Sequence, residues 1–122
     1  MVLSGKKSSF LFCILLTLMF LSEQCKVQAY TPSASEISIA ARRSPGADVY
    51  MLRSGHALYI NHCGKCHELY KVTAYSELEW ADVIPEMILK SHLDQKAEEQ
   101  IKLYVLSARE KELMQPVPGN KK

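Results

Sequence analysis

From residue 45 onward, apolar positions recur at intervals of three and four, and the alternation that marks a strand is weak throughout. Three amphipathic helices are predicted, so the fold class is all-α. The first runs from about Pro45 to Asn61, with Ser44 as N-cap and proline at the first helical position. Met51, Leu52, Gly55, Leu58, Tyr59 and His62 form its stripe. Gly55 costs about 1 kcal/mol against alanine in mid-helix, which implies that another backbone crosses there closely. The second helix starts at Ser76. Glu79 stands three residues later, as a capping box requires, and Tyr75 and Trp80 occupy the staple positions. Trp80, Ile84 and Met87 share a face of this helix, and Pro85 should kink it or end its first part. The third helix runs from about Gln95 to Lys111 with Asp94 as cap and a stripe of Ala97, Ile101, Tyr104, Val105 and Ala108. Residues 30–44, rich in Ser and Ala, read as a linker with at most a turn of helix. Residues 45–113 are the domain, and 114–122 an exposed tail.

The first 29 residues have a different pattern. Lys6 and Lys7 precede an apolar run from Phe10 to Leu21 broken only by Thr17. As a helix this run is roughly 18 Å long, short of the roughly 30 Å of a bilayer core. A basic start, a short apolar run and small residues at its exit read as a secretory signal. A plain cut after Ala29 would make 1–29 the signal peptide. A lipoprotein signal over 1–24 would instead leave Cys25 lipidated at the start of the chain. Either route exports the protein, to the periplasm or to a membrane anchor on the outer side of the cytoplasmic membrane or in the outer membrane.

Export changes the cysteine arithmetic. Of Cys13, Cys25, Cys63 and Cys66, only the last two stay in the exported domain as side chains of ordinary use. Free thiols outside the cytoplasm tend to oxidise, so the pair calls for an explanation. Charge is less informative. The formal +2 falls to about zero once Lys6, Lys7, Lys26 and Glu23 are set aside, and no basic face for nucleic acid is implied.

The pair lies in "CGKCH", residues 63–67, and three chemistries compete for it. A thioredoxin-like dithiol needs a βαβ setting, and strands are not predicted. A zinc site needs four ligands; Cys63, Cys66 and His67 supply three, with His56 or His92 as fourth, but adjacent Cys66 and His67 sit awkwardly in one tetrahedron. The third reading, covalent haem c, fits C-x-x-C-H without deviation. Two intervening residues let both sulfurs reach one porphyrin edge, and the next residue then turns its imidazole to the iron. A large apolar group would also complete a core that roughly 80 residues of helix make only thinly.

These residues resemble the small exported monohaem class I cytochromes c of bacterial type. "GHALYINHCGKCHELY" is similar to the family's first helix and haem motif, and "YSELEWADVIPEM" and "IKLYVLSAR" to the segments that follow. The likeness covers roughly residues 45–110. It implies a cytochrome c-like fold of three main helices around one haem c, with the first and last crossing near Gly55 and Tyr104. It implies thioethers from Cys63 and Cys66, His67 as proximal ligand, and a pocket with Trp80, Ile84 and Tyr59. Many such proteins are lipoproteins, which keeps Cys25 in play.

The sixth ligand is open among Met51, Met87, Met114, His56, His62 and His92. The resemblance favours Met87, with His92 or an unfilled position as alternatives. Relatives often carry proline shortly after the motif, whose carbonyl takes the second proton of the haem histidine. Here Val72 stands in its place, and the carbonyl of Lys71 or Val72 is the expected substitute. Histidine–methionine ligation suits one-electron transfer, so the expected function is electron transfer between unidentified redox proteins, by a monomer that is not an enzyme. The alternative is a haem-based ligand sensor or a redox-enzyme subunit with a displaceable sixth ligand. Lys65, Lys71 and Lys90 are candidates for steering partners, against the plainer role of a solvated surface.

Overall fold

The computed structural model describes residues 30–115. They form α1 (Ala34–Arg43), α2 (Val49–His62), a 3-10 turn over Cys63–Lys65, α3 (Glu77–Lys90) and α4 (Gln95–Met114), with no strand among them. The all-α expectation holds. Both cut sites, Cys13, Cys25 and tail residues 116–122 lie outside the described residues. Among the described residues, no helix is long and apolar enough to cross a membrane.

Every other helix packs on α4. The predicted stripe of α4 is buried as expected, but so are Gln100, Leu103, Leu106 and Ser107. From Gln100 to Ala108 only Lys102 faces solvent. A helix buried nearly all round is a central one, and here three neighbours enclose it.

The third neighbour is α1, where the sequence suggested a linker. Ser33 caps it by accepting from the Glu36 amide, and Glu36, Ile39 and Ala40 are buried. Burial at i, i+3 and i+4 is one face of a helix. The Ser33–Glu36 spacing was a start signal of the same kind as that at Ser76, hidden by a composition that reads as a linker. Glu36 is fully buried, and its carboxylate accepts from the Tyr30 hydroxyl and from Lys111 Nζ at 2.9 Å. Arg43, at the other end of α1, binds Glu77 and Glu110, both at 2.7 Å, and so ties α1 to α3 and α4.

Three boundaries differ from expectation. Ser44 closes α1 through a bond from its amide to Ala40, and α2 begins four residues later with Asp48 accepting from the Met51 amide at 2.8 Å. Gly46, at φ +86°, makes the turn between them. α3 runs unbroken through Pro85, which is exposed. The proline costs about 3 kcal/mol against alanine, and burial of Trp80, Ile84 and Ile88 on the opposite face offsets it. α4 continues three residues past Lys111, so Met114 is helical rather than tail.

The close crossing predicted at Gly55 is present. A methyl group there would collide with the Gln100 carbonyl and lie 2.8 Å from Tyr104 Cβ. Below it, Ala40, Leu52 and Leu103 join α1, α2 and α4 in a small core. A larger core on the other side joins Tyr59, Trp80, Ile84, Ile88, Ile101, Tyr104 and Val105.

Candidate functional site

The segment after the cysteine motif, residues 66–76, has no regular structure, yet its backbone is held from three helices. Tyr59 of α2 donates to the Tyr70 carbonyl at 2.5 Å. Trp80 Nε1 of α3 donates to the Val72 carbonyl at 2.9 Å. Arg109 Nε of α4 donates to the Tyr75 carbonyl at 2.8 Å. Each bond satisfies an acceptor that the loop does not pair internally. At the end of the loop the capping box at Ser76 is complete in both directions, and Tyr75 packs edge-on against Trp80 with ring centroids 5.0 Å apart.

Loop, α2, α3 and α4 together enclose a cleft of about 390 Å³, within the range of cofactor and ligand sites. The structure places all seven predicted site residues, Tyr59, Cys63, Cys66, His67, Trp80, Ile84 and Met87, on its wall. His62, Leu69, Tyr70, Tyr75, Val83 and Ile101 also line it. Val83 was legible as the neighbour of Ile84 and Met87 on one helix face. The loop residues Leu69 and Tyr70 carry no period and gave no such signal. Lys90 is at the cleft as well, paired to Glu86 at 2.6 Å, whereas Lys65 and Lys71 are exposed and do not line it.

The motif residues differ in exposure. Cys63 is half-buried, Cys66 and His67 are exposed, and both thiols are free. Burial pushes the Cys63 thiol above its ordinary pKa, so at neutral pH it is a thiol rather than a thiolate. That is the wrong direction for disulfide exchange, and among the described residues no strand is present to build a thioredoxin-like site. His67 Nδ1 lies 2.7 Å from the Glu68 carbonyl. A carbonyl only accepts, so Nδ1 carries a proton, and in the neutral ring it is Nε2 that keeps the lone pair. The expected acceptors are otherwise engaged: Val72 by Trp80, and Lys71 by the Ala74 amide.

Met87, half-buried, and His62 are the only sixth-ligand candidates that reach the cleft among the described residues. Met51 packs on the small core beside Leu52, and Met114 is 69% exposed at the end of α4. His56 stacks on Tyr30 with centroids 4.1 Å apart. His92, the one non-glycine residue with positive φ among the described residues, borders a separate recess with Tyr50 and Leu93. Neither histidine that could complete a zinc site is therefore at the cysteine pair. No cluster of three or more His, Cys, Asp or Glu side chains suited to a metal ion occurs among the described residues. No family model matches this chain, and comparisons with curated proteins and with solved structures find no match. Assignment of the cleft therefore rests on its own geometry.

Proposed function

We propose that this protein is an exported c-type cytochrome that holds one haem c covalently through Cys63 and Cys66 and carries single electrons between redox proteins. The observation that carries the reading is the meeting of both thiols, His67 and Met87 around one apolar cleft. The residues fit the group in chemistry as well as in place. The thiols are unpaired, the His67 tautomer offers Nε2, and Trp80, Ile84 and Ile101 give the wall an apolar surface.

Haem bound here supplies an iron that changes oxidation state by one electron. The chain's own residues do the rest. The Glu68 carbonyl holds the His67 proton and so makes Nε2 a better donor. Met87 would offer a soft thioether to the iron, a ligand that favours the reduced metal. Trp80 and Ile84, both 3% exposed, keep water from the inner wall. The three side-chain bonds to the 66–76 loop limit its movement and would keep rearrangement small with the group bound. Cys25 and its lipidation are part of the proposal only as the alternative way of keeping the protein outside the cytoplasm.

The test is expression with a haem-attachment system, followed by intact mass and visible spectrum. One porphyrin bound through two thioethers is expected, together with a mass that reports the processed N-terminus. Material that is colourless with both thiols unmodified refutes the proposal. Cys66→Ala should leave one thioether and red-shift the reduced spectrum. Met87→Ala should abolish the weak long-wavelength band of iron–methionine bonding; its persistence would assign the ligand elsewhere. Rapid carbon monoxide binding by the reduced wild-type protein would favour a sensor or a redox-enzyme subunit over a shuttle.

A further inference from the structure

A second recess, of about 460 Å³, opens where α2, the turn out of α3 and the start of α4 meet. It shares no lining residue with the cleft. Leu58, Leu93 and Ala97 give it an apolar wall, and the 73% exposed side chain of Tyr50 stands beside them. Leu58 and Leu93 also pack on the larger core, which fixes the wall in place.

Gln100 sets this recess apart from ordinary surface. It is 8% exposed and lines the recess, yet its side-chain amide has no hydrogen-bond partner among the described residues. Burying an amide without a partner is costly, so the missing partner is to be sought in whatever fills the recess. Further donors stand around it. The half-buried Ser54 hydroxyl is likewise unpartnered among the described residues, and Lys96 is exposed and in no ion pair among them. The Lys96 amide is one that a helix start leaves without a carbonyl, whereas the amides of Ala97 and Glu98 are taken by Asp94. Most acceptors nearby are engaged. Asp94 Oδ1 accepts from the Ala97 amide at 2.8 Å. The last carbonyls of α3, on Met87, Ile88 and Leu89, accept from the amides of Ser91, Leu93 and His92, a closure made by the positive φ of His92.

We propose that this recess binds a small organic monocarboxylate, its carboxylate held by Gln100, Ser54 and Lys96 and its apolar body laid against Leu58, Leu93 and Tyr50. Unpartnered donors around a buried amide call for a ligand rich in acceptors, and a carboxylate has room for several such bonds. The positive end of α4 and the Lys96 ammonium favour a negative charge. The apolar wall favours an organic body over a bare inorganic ion, which would leave Leu58 and Leu93 uncovered. Asp94 lines the recess too, and its carboxylate opposes a second negative charge on the ligand. The volume lies within the range of small-molecule sites. The proposal stands apart from the haem reading of the cleft and uses none of its residues.

The test is titration of the isotope-labelled full exported chain with benzoate at constant ionic strength, followed by amide NMR. Saturable shifts are expected at the Lys96 amide and the Gln100 side chain, with much weaker effects from acetate, which lacks the body, and from inorganic phosphate. Gln100→Leu, which keeps the volume but not the donor, should weaken benzoate binding about tenfold or more. Lys96→Gln should weaken it about threefold. Circular dichroism reports whether Gln100→Leu folds; if it does not, Ser54→Ala on the surface of α2 reads the same carboxylate and should weaken binding about fivefold. Shifts that do not saturate overturn the proposal, as does benzoate binding unchanged in these variants. So do phosphate binding tighter than benzoate, and shifts at Met87 and His67 in place of the recess. The visible spectrum of the same sample reports haem, so failure here and failure of the cytochrome reading are separate outcomes.

Discussion

The two sides of α4 are built differently. Against α1 and the N-terminal half of α2 the chain closes on itself. Backbones touch at Gly55, Glu36 is sealed by Tyr30 and Lys111, and Arg42 and Arg43 reach across to Glu110. Towards α3 the larger core packs as well, but part of that side stays open as an apolar cleft of about 390 Å³, edged by an irregular loop pinned at three carbonyls. One side is closed throughout; the other combines the larger core with an open space. The difference teaches where each kind of role can be sought: chemistry that needs a bound group at the cleft, stability opposite.

The sharpest way to break the closed side is Gly55→Ala. The new methyl meets backbone at Gln100, which cannot yield as a side-chain tip does. A loss of about 3 kcal/mol or more is expected, visible in urea unfolding whether or not the cleft is filled. Lys111→Met comes next. It strands the buried Glu36 carboxylate, but Lys111 itself is 25% exposed, so the loss should be about 2 kcal/mol, below the range for fully buried pairs. On the open side, Tyr59→Phe removes one bond to the loop and should cost about 1 kcal/mol. In haem-loaded protein it should disturb the visible spectrum, as Lys111→Met should not. If the two variants affect spectrum and stability alike, the division between the sides is wrong.

The smallest effect is one of pH. Burial lowers the pKa of His56 below its ordinary value, against a weaker opposing pull from Glu36. The folded state then binds fewer protons than the unfolded one over the interval between the lowered value and about 6.5. This part of the stability is present above about pH 6.5 and is lost as pH falls through that interval. Since His56 keeps partial contact with water, the change should be under about 1 kcal/mol. His56→Gln should flatten the unfolding free energy just below about pH 6.5; an unchanged slope would show that His56 is not its source. Glu77 and Glu110, held below the usual carboxylate range first of all by their bonds to Arg43, act at lower pH and do not blur the measurement.

Much of this arrangement was legible along the chain because its signals are local. Ser76 and Glu79 satisfy each other's backbone within one turn, and Asp94 caps α4 in a similar way. Gly55 declared a close approach by its cost alone. The predicted stripes of α2 and α4 lie on the buried sides of their helices, and the seven residues chosen for the site line one cleft. α1 was misjudged because composition outweighed a start signal at Ser33, and because its stabilising partners, Lys111 and Glu110, stand 67 to 75 residues away.

The sequence by itself determined the helical class, the crossing at Gly55 and the residue types at the cysteine motif. Period, capping and steric demand act over a few residues and need no knowledge of the rest. Tertiary structure alone decided that α3 closes over the cysteine motif so that Met87 lines one cleft with Cys63 and His67, that the Glu68 carbonyl rather than that of Val72 accepts from His67, and that Tyr30 reaches Glu36. Those pairings depend on which helix faces close on which, and that is set by burial of apolar surface over the whole domain.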